Sequence, residues 1–134
     1  PDMPVKEPIH REVASSVIDP TALEQLLKLV GGDRDNYFKL IDSFLEETSK
    51  LLTGIRNAAE NKDNELLRRM SHTLKSTSRD FGAIRLSKLG ERLEAISKTG
   101  NMGGVPELVQ QAEMEYASVD IALNAIRARG NDDG

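Results

Sequence analysis

The 134-residue chain has no cysteine and no tryptophan. Disulfide staples and thiolate metal sites are therefore closed to it, and the fold must hold by packing alone, which suits a reducing compartment. It also lacks any apolar run near the roughly 18 residues that a bilayer-spanning helix needs. The opening Pro1-Asp2-Met3-Pro4-Val5-Lys6 lacks the apolar core of a signal peptide, so the chain reads as cytoplasmic and not membrane-bound. Pro1 in place of Met suggests a fragment of a longer chain or a processed product. With 22 acidic against 18 basic residues the net charge is −4, which argues against general nucleic-acid binding. Neither a Gly-x-x-x-x-Gly-Lys loop nor a Gly-x-Ser-x-Gly elbow is present, leaving no case for nucleotide binding or serine hydrolysis. No stretch sustains a period of two, so no sheet is expected.

What remains is a chain of helices with 38% hydrophobic residues, enough for one compact core. Residues 1–16, with Pro1, Pro4 and Pro8 and no period, read as a flexible arm or linker. Asp19-Pro20 supplies an N-cap and a first-turn proline for a short helix carrying Leu23, Leu26, Leu27 and Val30, stopped by Gly31-Gly32. Asp33 can cap a longer helix whose stripe runs Phe38, Ile41, Leu45, Leu52, Ile55 and Ala59, widened by Tyr37, Phe44 and Leu51. After the turn Asn61-Lys62-Asp63, a third helix runs from about 64 to 81 and ends at Gly82. A fourth carries Leu86, Leu89, Leu93 and Ile96 up to Gly100. Pro106 opens the last, with Leu108, Val109, Ala112, Tyr116, Val119, Leu123 and Ile126. The expected fold is all-α: an up-down-up-down antiparallel four-helix bundle over 17–129, with the short N-terminal helix across one end and 130–134 as a tail.

The third helix carries the chemistry. Leu66, Leu67, Met70, Leu74 and Phe81 gather on one side at about 100° per residue, and His72 falls roughly 190° from the middle of that stripe. Its neighbours there are Arg68, Lys75, Ser76 and Arg79. A solvent-facing imidazole among cations is a candidate nucleophile toward an anion, since neighbouring positive charge favours the uncharged, nucleophilic ring. Lys75, three residues on, can donate charge-assisted hydrogen bonds to phosphoryl oxygens. Arg68, Arg69 and Arg79 widen the cationic surface and can touch phosphate or pair with an acidic partner. A bundle metal site would need inward Glu-x-x-His pairs, but Arg69 stands three before His72 and the other histidine, His10, lies in the arm, so no metal is expected. Phe38, Phe44 and Phe81 read as core. Asp42, Glu46, Glu47, Glu91 and Glu94 read as solvated helix faces.

The run His72-Thr73-Leu74-Lys75-Ser76-Thr77-Ser78-Arg79-Asp80-Phe81-Gly82-Ala83, with Leu86 downstream, resembles the signature of histidine-containing phosphotransfer domains. Asp19-Pro20, Gly31-Gly32, Phe44 and Leu93-Glu94 extend the resemblance over roughly residues 17–128. It implies a phosphorelay intermediate in which a receiver-domain aspartate passes a phosphoryl group to His72, and the phosphohistidine passes it to another receiver. The implied catalytic residues are His72 as acceptor and Lys75 as stabiliser, with Arg68, Arg69, Ser76 and Arg79 toward phosphate or partner. The implied partners are response-regulator receivers, among them the receiver of a hybrid sensor histidine kinase. The receiver's acidic site brings the magnesium, so no cofactor belongs to this chain. Ser76 departs from the family pattern, which places glycine after the lysine; its hydroxyl can bond back to the carbonyl four residues earlier or reach the phosphate.

On this reading the chain is a phosphoryl carrier without kinase or ATPase activity of its own. Two alternatives stay open: a receiver-docking module with a vestigial histidine, and the dimerisation and phosphoacceptor domain of a histidine kinase. Dimerising kinase bundles usually carry an acidic residue directly after their histidine. Thr73 stands there and favours a monomer.

Overall fold

Three aspartates start three of the helices by accepting a backbone amide that has no partner within its own helix. In the computed structural model, which describes residues 17–133, Asp19 caps α1 (Pro20–Leu29) by accepting from the Thr21 amide at 3.0 Å. Asp33 caps α2 (Arg34–Glu60) through Asn36 at 3.2 Å, and Asp63 caps α3 (Asn64–Asp80) through Leu66 at 3.1 Å. Helix α4 (Ile84–Thr99) has no side-chain cap at its start and ends on left-handed Gly100. Helix α5 spans Val105–Asp133, so its backbone stays helical into the 130–134 stretch expected to be a tail. The arm 1–16, with His10, lies outside the described residues. No strand occurs among the described residues, and no helix among them is long and apolar enough to cross a membrane.

Helix α3 packs on α2 and α4, and α5 packs on α2 and α4, which closes a ring of four. Because each connection is a short turn, consecutive helices run antiparallel. Ile41, Ile55, Leu67, Leu74, Leu86, Leu93 and Leu123 fill the centre and are essentially inaccessible. The buried stripe of α2 is rotated from the expected one. Tyr37, Phe44 and Ala58 are buried, while Phe38 and Ala59 are only half-buried. Phe38 can stay near the surface because the Arg127 guanidinium lies over its ring, 5.4 Å from the centroid, and pairs with Asp42. Asp42 is thus half-exposed but engaged, while Glu46 and Glu47 are exposed beside Lys50, as expected of a solvated face. Toward the middle of the α2–α5 seam Arg56 grips Glu113 with two hydrogen bonds, and the Tyr116 hydroxyl donates to the Leu45 carbonyl at 2.7 Å.

Helix α1 closes the end of the bundle where α3 turns into α4. The Asp19 amide donates to the Gly82 carbonyl at 2.8 Å. Gly82 has φ +77°, and a Cβ there would stand 2.7 Å from the Asp19 carbonyl oxygen, so both conformation and contact require glycine. Val17 and Ile18 are buried against this end. The α3–α4 turn is therefore clamped, and the two helices leave it at a fixed separation.

Candidate functional site

His72 stands midway along α3 with 56% of its side chain exposed, on the face away from Leu67, Ser71, Leu74 and Ser78, all of which are buried. Its Nδ1 lies 3.0 Å from Oε2 of Glu94 on α4. The other carboxylate oxygen, Oε1, accepts from Lys75 Nζ at 2.9 Å, and Lys98 Nζ lies 3.8 Å from Oε2. Glu94 is therefore not on a solvated face. Its side chain is 9% exposed and joins the histidine to the lysine. Glu91, three residues earlier, is exposed as expected.

The charge state of Glu94 decides what the histidine can do. The Lys75 hydrogen bond, opposed by burial and assisted by His72, holds the Glu94 carboxyl below the ordinary glutamate value of 4.5. The group is ionised at neutral pH and can only accept, so in the neutral ring Nδ1 must carry the proton. Nε2 then keeps its lone pair. The arrangement is a nucleophilic nitrogen on the exposed side of the ring and a fixed anion behind it.

A carboxyl whose value is lower in the folded than in the unfolded chain contributes stability above the ordinary value and loses it as pH falls through the folded one. Glu94 and Glu113, the latter held down chiefly by its Arg56 hydrogen bonds, both have this sign. Glu115 has the opposite sign, because burial raises it. We expect the thermal midpoint to fall as the pH drops below 4.5, and Glu94→Gln to make that fall shallower. Melting curves of the two proteins across this range check it; identical slopes would show that Glu94 carries no linked proton.

The other expected site residues divide. Arg68 donates to Glu65, with NH2 2.5 Å from Oε2, although its charge also acts on Glu94. Arg69 is exposed, and its charge acts on Glu65. Ser76 is half-buried and makes no side-chain hydrogen bond among the described residues, so the back-bond open to it is not formed. Its neighbours do make that bond: Thr73 Oγ1 donates to the Arg69 carbonyl at 3.2 Å and Thr77 Oγ1 to that of Thr73 at 2.9 Å. Arg79 is exposed two turns from His72, roughly 10 Å along the axis, too far to share its phosphoryl group without a bent approach.

Sequence reasoning missed Glu94 as a partner, and with it Lys98. A signal was available. Ser87, Gly90, Glu94 and Ser97 recur at helical spacing along α4 and all are buried. A glycine inside a helix costs about 1 kcal/mol relative to alanine, so a small and polar seam of this kind marks a close neighbour. Beside His72 on the other flank, Leu40, Phe44, Leu51, Thr73, Thr77 and Phe81 line an apolar groove of about 320 Å³ between α2 and α3. Phe44 and Phe81 stack across its floor with centroids 4.3 Å apart.

Comparison with known proteins agrees with this geometry. A family model described as the Hpt domain matches residues 39–128. The chain is similar to multistep phosphorelay regulator 1 of Schizosaccharomyces pombe, 26% identical over 111 residues, which cover 82% of this chain. The match takes in 35% of that protein, so the chain spans about a third of this relative's length. It is also similar to the crystal structure of histidine-containing phosphotransfer protein B (HptB) from Pseudomonas aeruginosa PAO1. The TM-score is 0.78 at 28% identity, covering 84% of this chain and 96% of that one.

Proposed function

Since this chain belongs to the Hpt domain family of phosphotransfer modules, we propose that His72 is its phosphoryl acceptor, charged by the aspartyl phosphate of one receiver domain and discharged to the aspartate of another. The observation that carries this reading is the exposed His72 ring, held through Nδ1 by a buried carboxylate, which leaves the Nε2 lone pair for the phosphoryl group.

The step balances without a further reactant. The Nε2 lone pair forms the P–N bond as the bond between phosphorus and the aspartyl oxygen breaks, leaving the receiver a free carboxylate. The ring becomes cationic, keeps its Nδ1 proton and is stabilised by the Glu94 charge behind it. Discharge to a second receiver reverses these bonds. Lys75 donates one of its three protons to Glu94 and has others for the phosphoryl oxygens. Lys98, 59% exposed, stands on the same carboxylate and can join it. Arg69 and Arg79 are suited to acidic groups on a docked partner. The apolar groove beside Thr73 and Thr77 suits the apolar part of a receiver surface. Magnesium, in this reading, arrives in the receiver's acidic site, and the chain works as a monomer.

The test is incubation of the chain with a receiver domain charged from radiolabelled acetyl phosphate. Label should enter His72 within minutes, be acid-labile and base-stable, and reside on Nε2. ATP and magnesium alone should leave the chain unlabelled, because it has no loop to cradle the phosphates. Incorporation of γ-phosphate from ATP by a kinase-free sample would falsify the carrier reading.

A further inference from the structure

We propose that Gly90, with Ser87 beside it, is a positioning residue of the phosphotransfer site: it sets the distance between α3 and α4 at which Glu94 reaches His72 and Lys75 together. This rests on His72 being the acceptor. A Cβ at position 90 would stand 2.8 Å from the Lys75 amide nitrogen, 3.1 Å from Lys75 Cα and 3.1 Å from the Ser71 carbonyl oxygen. All three are backbone atoms, so no side chain can turn aside to make room. At Ser87, three residues earlier, Oγ donates to the Lys75 carbonyl at 2.8 Å. Helix α4 therefore touches the backbone of Lys75 at two points, and Glu94 lies one turn beyond Gly90. Its oxygens then meet the side chain of the same lysine at 2.9 Å and His72 at 3.0 Å.

Alanine at position 90 forces the helices apart by roughly half an ångström before ordinary contact distance is restored. The displacement costs packing contacts along the seam, and a hydrogen bond at 3.0 Å weakens steeply with it. With the Glu94 contact loosened, the ring no longer has a reason to keep its proton on Nδ1.

The experiment is ¹⁵N NMR of the His72 ring in the parent, Gly90→Ala and Ser87→Ala, beside single-turnover transfer from a charged receiver domain. The parent should be mainly the Nδ1–H tautomer. Gly90→Ala should shift population to Nε2–H and slow transfer about tenfold, the scale expected when a reacting group is displaced by a fraction of an ångström, with receiver affinity little changed. Ser87→Ala should shift the tautomer in the same direction by less, and it decides the matter if Gly90→Ala does not fold. Leu123→Val, a core truncation on α5, controls for stability alone and should leave the tautomer as it is. A parental tautomer in both seam variants would overturn the proposal. Failure of the parent to take label on His72 would instead overturn the acceptor reading, while the tautomer measurement still judges Gly90.

Discussion

His72→Gln should lose all phosphoryl acceptance while melting close to the parent. The ring is more than half exposed and is not among the buried core side chains, so its removal opens no core cavity. Glutamine can present an amide N–H to Glu94, and even without it the carboxylate keeps Lys75 at 2.9 Å and Lys98 at 3.8 Å. The stability change should therefore stay within about 0.5 kcal/mol, as at ordinary surface positions. Transfer has no substitute route. The Ser76 hydroxyl, one turn on, has no hydrogen-bonded base among the described residues and is not a nucleophile at neutral pH. Calorimetry and receiver-dependent labelling on one preparation separate the two effects, and normal labelling of a folded His72→Gln protein would remove His72 from the mechanism.

Lys75→Ala should slow transfer by roughly one to two orders of magnitude, equivalent to about 1.4–2.7 kcal/mol of transition-state stabilisation. The lysine can do two things at once. It neutralises the buried Glu94 carboxylate, and its ammonium has further protons to donate to phosphoryl oxygens. Without it, a second anion arriving on His72 meets Glu94 uncompensated except by Lys98. The Glu94 carboxyl should also move up toward its ordinary range, because its largest stabilising contact is gone. Receiver affinity should fall less than the rate, since the lysine side chain is 22% exposed and offers little surface to a docked protein. A double-mutant cycle with Glu94→Gln should show strong non-additivity, because both substitutions act on one hydrogen-bonded unit. Transfer rates equal to the parent's would reduce Lys75 to a shield for the glutamate.

Much of the molecule was legible in one dimension. The caps Asp19 and Asp33, the stops at Gly31-Gly32 and Gly82, and the exposure of His72 depend on contacts within a turn or two, which periodicity and capping chemistry report directly. The α2 stripe was legible only to within one residue. Tyr37 and Phe44, expected at the edge of the stripe, are buried together with Ala58, while Phe38 and Ala59 are half-buried; Arg127 and Asp42, far apart in sequence, meet over Phe38 and cover it from outside.

Sequence by itself determined the five helices, the antiparallel order and the histidine's solvent face, since short turns and one apolar stripe per helix leave few other packings. Tertiary structure alone decided that Glu94 is an inward partner and not a solvated charge, and that Lys75 spends one donor on it. The reason is that these outcomes depend on the separation and rotation of α4 against α3. A helical wheel gives the direction in which a side chain leaves its own axis but not the distance to the next one. Here that distance is set where Gly90 lets two backbones come within van der Waals contact, and a turn later it is short enough for one carboxylate to reach both His72 and Lys75.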